Sequence, residues 1–198
     1  MEHVNQSLFL LINAAPGASG FMVNLAVFIA ESLIWIVPAG LKIVWLRSAN
    51  LARHALVAAT VAGLFALLVN QVIGLYWYHP RPFEAGIGLT LIPHVMDSSF
   101  PSDHLTLIWA VAISLLLNKQ FRLTGWVLFL LGVPVAWARI YLGVHFPLDI
   151  LGAVLVAWGS AWIVKRKEHR LIPPLMSLIL PLYRILFSGF IRRGWVRQ

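Results

Sequence analysis

Cysteine is absent from this 198-residue chain. No disulfide, thiolate nucleophile or cysteine-ligated metal site can form. Charge is scarce too: Asp, Glu, Lys and Arg make up 11% of the residues, against 60% hydrophobic. A soluble domain of this length would carry a far more charged surface. No Lys or Arg precedes Lys42. The opening segment therefore lacks the basic start of a secretory signal, and its apolar stretch Leu8–Ile12 is too short for one. The net charge of +8 could suit nucleic acid. The basic residues, however, sit in short loops between apolar runs, where charge sets membrane topology. No nucleic-acid partner is expected.

Long apolar runs are what the chain does have. Spans are expected at about 21–41, 55–76, 101–117, 124–141 and 146–164, each near the twenty residues needed to cross a bilayer. Backbone groups in lipid must be satisfied internally, so these are helices. Several of the 9 tryptophans lie near the ends of these runs, as in interfacial belts. The expected fold class is an all-α integral membrane protein, a bundle of five transmembrane helices. Leu171–Phe190 is apolar enough for a sixth, but Pro173, Pro174, Pro181 and Arg184 interrupt it. An interfacial helix on the cytoplasmic face is the favoured reading. The organisation is then one membrane domain over 1–198, with a core at about 55–165 and a C-terminal interfacial segment at about 171–198.

Lys42, Arg47 and Arg53 follow span one, Lys119 and Arg122 follow span three, and Lys165, Arg166, Lys167 and Arg170 follow span five. With five spans these groups share one side, which is cytoplasmic by the positive-inside rule. Arg81 and Arg139 fall on the opposite side.

Three polar clusters break the apolar sequence: His79-Pro80-Arg81-Pro82, Pro101-Ser102-Asp103-His104, and Arg139 followed by His145 and Asp149. Ionisable groups beside lipid are costly and mark functional sites by default. Arg81 and Arg139 each offer a planar fork of donors to phosphate oxygens. Pro101 suits the first turn of a helix. Ser102 and His104 would then sit at a helix N-terminus, where free N–H groups favour anions. His145 lies just before Pro147, at another helix start. Asp149 is one turn on, placed to orient the imidazole and stabilise its charged form.

Plainer readings exist residue by residue. Arg139 could bridge to Asp149, and His104 could be a helix-start hydrogen bonder. Complementary groups from three segments on one membrane face favour chemistry. Asp103 is expected either to cap its helix or to tune His104 or a phosphate-binding arginine. Glu31, inside span one, needs neutralisation or a partner, and Asn70 and Gln71 are the candidates. His79, His94 and Asp97 read as loop residues facing headgroups, with a lid role as the alternative. No carboxylate cluster of metal-site type is present, so no metal or other cofactor is expected.

At these residues the chain resembles the type 2 phosphatidic acid phosphatase (PAP2) superfamily, whose pattern is Lys-x6-Arg-Pro, Pro-Ser-Gly-His and Ser-Arg-x5-His-x3-Asp. Here Arg81-Pro82, Pro101-Ser102-Asp103-His104 and Arg139-x5-His145-x3-Asp149 keep that order and spacing. Gly74 stands at the lysine position, Asp103 at the glycine and Ala138 at the serine. The segments Asp97–His104 and Arg139–Asp149 are more closely similar to the bacitracin-resistance-type undecaprenyl pyrophosphate phosphatases, a branch in which Asp103 is typical. The resemblance implies His145 as nucleophile forming a phosphohistidine and Asp149 as its orienting partner. It implies His104 as general acid and then base, with Arg81, Ser102 and Arg139 binding phosphate. Either Asn70, Gln71 or loop groups would compensate for the missing lysine and serine, or the phosphate would be held with fewer contacts.

The activity so implied converts undecaprenyl pyrophosphate to undecaprenyl phosphate at the periplasmic face of a bacterial inner membrane, recycling the carrier lipid and conferring bacitracin resistance. The partners are then this polyprenyl lipid and the surrounding membrane lipids. Alternatives are a phosphatidylglycerophosphate or phosphatidate phosphatase, or a lipid A phosphotransferase. A lipid or bacitracin transporter is the alternative outside enzymes. The absence of a nucleotide-binding motif and of repeated halves speaks against transport.

Overall fold

The structure, a computed structural model, describes residues 2–197. Among them there are helices and connections, and no strand. A short helix α1 (Glu2–Ile12) comes first. Next come α2 (Gly20–Ser32) and α3 (Ile36–Arg47), joined without a break by a 3-10 turn at Leu33–Trp35. Then follow α4 (Asn50–Tyr76), α5 (Asp103–Leu116), α6 (Arg122–Tyr141), α7 (Pro147–Leu186) and α8 (Ser188–Arg192).

Four helical stretches are long and apolar enough to cross a membrane: Gly20–Arg47, Asn50–Tyr76, Lys119–Tyr141 and Pro147–Leu186. With α5 they account for the five expected spans, and the chain is a multi-pass membrane protein. Helix α5 is the short one. Its 14 residues reach about 21 Å, less than the hydrocarbon thickness. The long α4–α5 connection occupies the remaining depth, so the N-terminus of α5 is recessed under it.

Helix α5 sits at the centre and packs against α4, α6 and α7. Small residues permit the close approach. Ala55, Ala59, Ala62 and Ala66 repeat along the buried face of α4. Gly132 on α6 leaves room for the Trp109 indole, where a Cβ would come within 2.3 Å of Nε1. That indole donates to the Phe129 carbonyl at 3.0 Å, which satisfies its polar atom in the bundle. Ala138 packs with Ala26 and Ala30, so the position lacking the family's serine faces α2.

Several expectations are corrected. Leu171–Phe190 is not a separate helix, because α7 continues through it to Leu186. A straight 40-residue helix would reach about 60 Å and leave the bilayer. Instead Lys165 and Glu168 neighbour His54, while Leu175 and Ile179 lie beside Leu56, Thr60 and Leu64. The helix thus bends across α4, and Pro173-Pro174 supplies the cause, since each proline removes an internal hydrogen bond. Pro101 is not in the first turn of α5, which starts at Asp103 after an N-cap at Ser102.

Helix α1 was not expected. Phe9 is fully buried against Phe146, with ring centroids 5.2 Å apart. Asn5 Oδ1 accepts from the Leu148 N–H at 3.0 Å, at the start of α7. Asn13 donates to the carbonyls of Leu89 and Tyr141 at 2.8 and 3.0 Å. Together these contacts pin α1 over the outer ends of α6 and α7.

Candidate active site

Helix α7 begins with Pro147 at its first position, where the missing N–H costs nothing. Asp149 reaches back one turn, and its Oδ2 accepts from the Phe146 N–H at 2.7 Å. The same oxygen lies 3.3 Å from His145 Nδ1. The carboxylate therefore caps the helix and fixes the imidazole together. His145 sits in the connection between α6 and α7. Burial pushes its pKa down to about 4, against the opposing pull of Asp149. Burial thus favours the neutral ring, with Nδ1–H toward Asp149 and the Nε2 lone pair turned toward Arg81.

His145 Nε2 faces Arg81, whose Nη1 is 3.4 Å away. Arg81 is buried and held on three sides. Its Nη1 donates to the Val144 carbonyl at 2.8 Å, and its Nε to Asp97 Oδ1 at 2.7 Å. Its N–H donates to Glu84 Oε2 at 2.9 Å. Arg139, also buried, places Nη2 3.1 Å from His94 Nε2. Burial, reinforced by Arg81 and Arg139, holds the His94 imidazole below its usual range. A neutral His94 can accept from Arg139 at Nε2 while Nδ1 donates to the Val95 carbonyl at 3.1 Å.

Three buried atoms able to donate have no hydrogen-bond partner: His79 Nδ1, Ser102 Oγ and Arg139 Nε. Ser102 occupies an N-cap position without using its side chain to cap. An unsatisfied buried polar group costs about 1–3 kcal/mol, so such atoms call for an explanation. A cavity of about 470 Å³ is lined by Arg139 together with Glu31, Trp35, Pro38, His94 and His104. The site thus combines an imidazole whose Nε2 faces a guanidinium, a second guanidinium, an unspent hydroxyl and a second imidazole at a helix start. That set suits transfer of a phosphoryl group through positioning and charge stabilisation.

The structure brings His145, Asp149, Arg81, Ser102, Arg139 and His104 into one region around the recessed end of α5. Other expected roles change. Asn70 donates to Asp103 Oδ1 at 2.8 Å and Gln71 to Asp103 Oδ2 at 3.1 Å. Asn70 and Gln71 therefore join α4 to the first turn of α5. They do not partner Glu31 or replace the missing lysine. Asp103 accepts these amides, and the N-cap position belongs to Ser102. Glu31 instead shares the cavity with His104 and Arg139. No Arg139–Asp149 bridge forms among the described residues. Gly74, at the lysine position, faces Ser98, and a Cβ there would lie 3.2 Å from Ser98 Cβ. The α4–α5 connection has closed over that place.

Sequence reading overlooked Ser99. It is fully buried and donates to Asp149 Oδ2. Its only signal was position, three residues before Ser102 in a polar run. Among the described residues no group of three or more His, Cys, Asp or Glu could hold a metal ion.

Comparison with known proteins identifies relatives. The chain is 39% identical over its full length to YbjG of Escherichia coli K12, a candidate undecaprenyl-diphosphatase, with 100% of that protein covered. It is 31% identical to the undecaprenyl-diphosphatase BcrC of Bacillus subtilis 168, over 96% of this chain and 97% of that one. In fold it is similar to the crystal structure of Aquifex aeolicus LpxE, with a TM-score of 0.67, 22% identity, and 82% and 95% of the two chains covered. The model of the PAP2 superfamily matches residues 53–173, which take in Arg81, His104 and the His145–Asp149 pair; the chain belongs to that superfamily.

Proposed function

We propose that this protein dephosphorylates undecaprenyl pyrophosphate to undecaprenyl phosphate, at the periplasmic face of a bacterial inner membrane. The observation that carries the chemistry is that Ser102 Oγ and Arg139 Nε are buried donors without a hydrogen-bond partner, in the same region as His145, whose Nε2 faces Arg81. The prenyl substrate rests on likeness to two relatives whose names carry that activity, over nearly their whole length. The outward orientation rests on the basic groups between and after the spans.

In this reading the terminal phosphate lies between Arg81, Arg139 and Ser102. His145 Nε2 attacks its phosphorus as the bridging P–O bond breaks. His104 gives its proton to the departing lipid phosphate. The phospho-imidazolium of His145 is stabilised through Nδ1–H by Asp149. Water then attacks the same phosphorus, His104 takes its proton, the P–N bond breaks, and inorganic phosphate leaves. No bound cofactor is needed at any step.

The test is phosphate release by purified protein in detergent, measured on undecaprenyl pyrophosphate, phosphatidylglycerophosphate and phosphatidate. A kcat/KM at least tenfold higher for the prenyl pyrophosphate supports the assignment. No release from any of the three would end the reading.

A further inference from the structure

Asp149 Oδ2 is an unusual oxygen. It accepts from the Phe146 N–H at 2.7 Å, stands 3.3 Å from His145 Nδ1, and also accepts from the Ser99 hydroxyl. Ser99 Oγ is itself 3.5 Å from His145 Nδ1. The hydroxyl therefore sits beside both members of the pair. Because its hydrogen points to Asp149, its lone pairs are left for the Nδ1–H of His145. Ser99, His145 and Asp149 are all buried.

We infer that Ser99 is a positioning residue for the nucleophile: its hydroxyl locks Asp149 and the Nδ1–H tautomer of His145, so that Nε2 points at the phosphate. The inference rests on the reading of His145 as nucleophile and adds a residue to it.

Three arguments support it. First, the imidazole gains positive charge when Nε2 bonds to phosphorus. Oγ and Oδ2 both face the Nδ1–H at that moment, and hydrogen bonds to a buried charge are the strong kind. Second, the hydroxyl is held from its own side. The Ser99 N–H donates to the His79 carbonyl at 2.8 Å, which ties it to the segment carrying Arg81. Three residues on, the Ser102 N–H donates to the Asp149 carbonyl at 3.3 Å. One short stretch thus fixes the nucleophile, a phosphate arginine and the start of α5 relative to one another. Third, a role limited to filling space is a poor account. Ser99 adds a third donor to an oxygen already served by the backbone of Phe146, while Asp149 Oδ1 accepts no hydrogen bond and has only His79 Nδ1 near it, at 3.9 Å. A purely structural hydroxyl would relieve Oδ1 first.

The experiment compares wild type with Ser99→Ala, Ser99→Thr and His145→Ala in detergent, with rates expressed per folded molecule from the melting profile. Ser99→Ala is expected to lower kcat about 10- to 100-fold, the range for a hydrogen bond to a buried charge. KM should stay within about twofold, because Ser99 touches no phosphate-binding group. Rapid-quench labelling should show slower appearance of acid-labile, base-stable phosphoenzyme. Ser99→Thr, which keeps the hydroxyl, should recover much of the rate wherever it folds. A wild-type kcat per folded molecule in Ser99→Ala overturns the inference, and so does a rise in KM with kcat unchanged. Those results leave the His145 reading intact. Activity in His145→Ala would instead remove the reading beneath it.

Discussion

The Asp97 carboxylate holds Arg81 Nε at 2.7 Å, on a guanidinium that also faces Nε2 of His145. Three residues earlier, His94 Nε2 takes the Nη2 of Arg139 at 3.1 Å. One loop thus offers an acceptor to each arginine assigned to phosphate. Both arginines are buried, and a buried guanidinium without acceptors is costly. Asp97 is more than half exposed and can turn away to solvent.

Asp97 therefore competes with phosphate for Arg81. Asp97→Asn should bind vanadate and inorganic phosphate more tightly. The partial exposure limits the effect to about 1 kcal/mol, or roughly fivefold in the inhibition constant. Weaker inhibition would instead mean that Asp97 aligns Arg81 for the substrate.

His145→Ala should abolish turnover, and His104→Ala should reduce it by several orders of magnitude, with protein levels preserved. The motive is the His145 imidazole, held by Asp149 at Nδ1 with Nε2 facing Arg81, and the place of His104 in the same cavity as Arg139. Arg81→Lys should also be damaging. An ammonium cannot serve Val144, Asp97 and a phosphate with the geometry of a planar fork. Near-normal hydrolysis by His145→Ala in the phosphate-release assay would refute the covalent route.

The sequence made part of this site legible and hid the rest for physical reasons. Arg81, Ser102, His104, Arg139, His145 and Asp149 stood out because charge is rare in apolar sequence and their spacing fits helix starts. Asn70 and Gln71 were placed at a sensible depth, but depth along a helix does not reveal which neighbour its face meets. They meet Asp103 on α5. Helix α1 was invisible because its polar anchors act at long range: Asn5 serves Leu148, and Asn13 serves Leu89 and Tyr141. The extent of α7 was misjudged because prolines usually end helices, whereas packing on α4 carries this one past Pro173-Pro174. The partners of Arg81 and Arg139 come from a loop, where no periodicity constrains side-chain direction.

Hydrolysis should persist in excess chelator and be inhibited by vanadate, which adopts the five-coordinate geometry of the transferring phosphorus. The ground is the donor set around His145, two guanidinium groups and a hydroxyl, which stabilises anionic charge directly. Loss of activity in chelator, restored by a divalent cation, would count against it.

The C-terminus should lie in the cytoplasm. Lys42 and Arg47 lie at the end of α3 and Lys119 and Arg122 at the start of α6, while Lys165, midway along α7, neighbours His54 and Asn118. The tail folds back to that end as well. Arg53 donates to the Arg197 carbonyl at 2.7 Å, and so does the Tyr183 hydroxyl at 2.6 Å. A reporter active only in the periplasm, fused after the last residue, should be silent, and one active only in the cytoplasm should work. The opposite pattern would invert the site's orientation.

Overproducing the protein should raise bacitracin resistance, and the His145→Ala form should not. Bacitracin sequesters undecaprenyl pyrophosphate outside the cytoplasm, so an enzyme consuming that lipid there competes with the drug. Three links carry the expectation. By the positive-inside rule, Arg81, His104, Arg139 and His145 are expected to face outward. Their chemistry suits phosphoryl transfer from a lipid headgroup. Likeness to BcrC of Bacillus subtilis over 96% of this chain supplies the prenyl substrate. The third link is the one the minimum inhibitory concentration tests. An active, membrane-inserted protein that gave no protection, while purified protein released phosphate faster from phosphatidylglycerophosphate, would reassign the substrate. The roles of His145, His104 and the two arginines would survive that result, because their geometry recognises the phosphate rather than the tail.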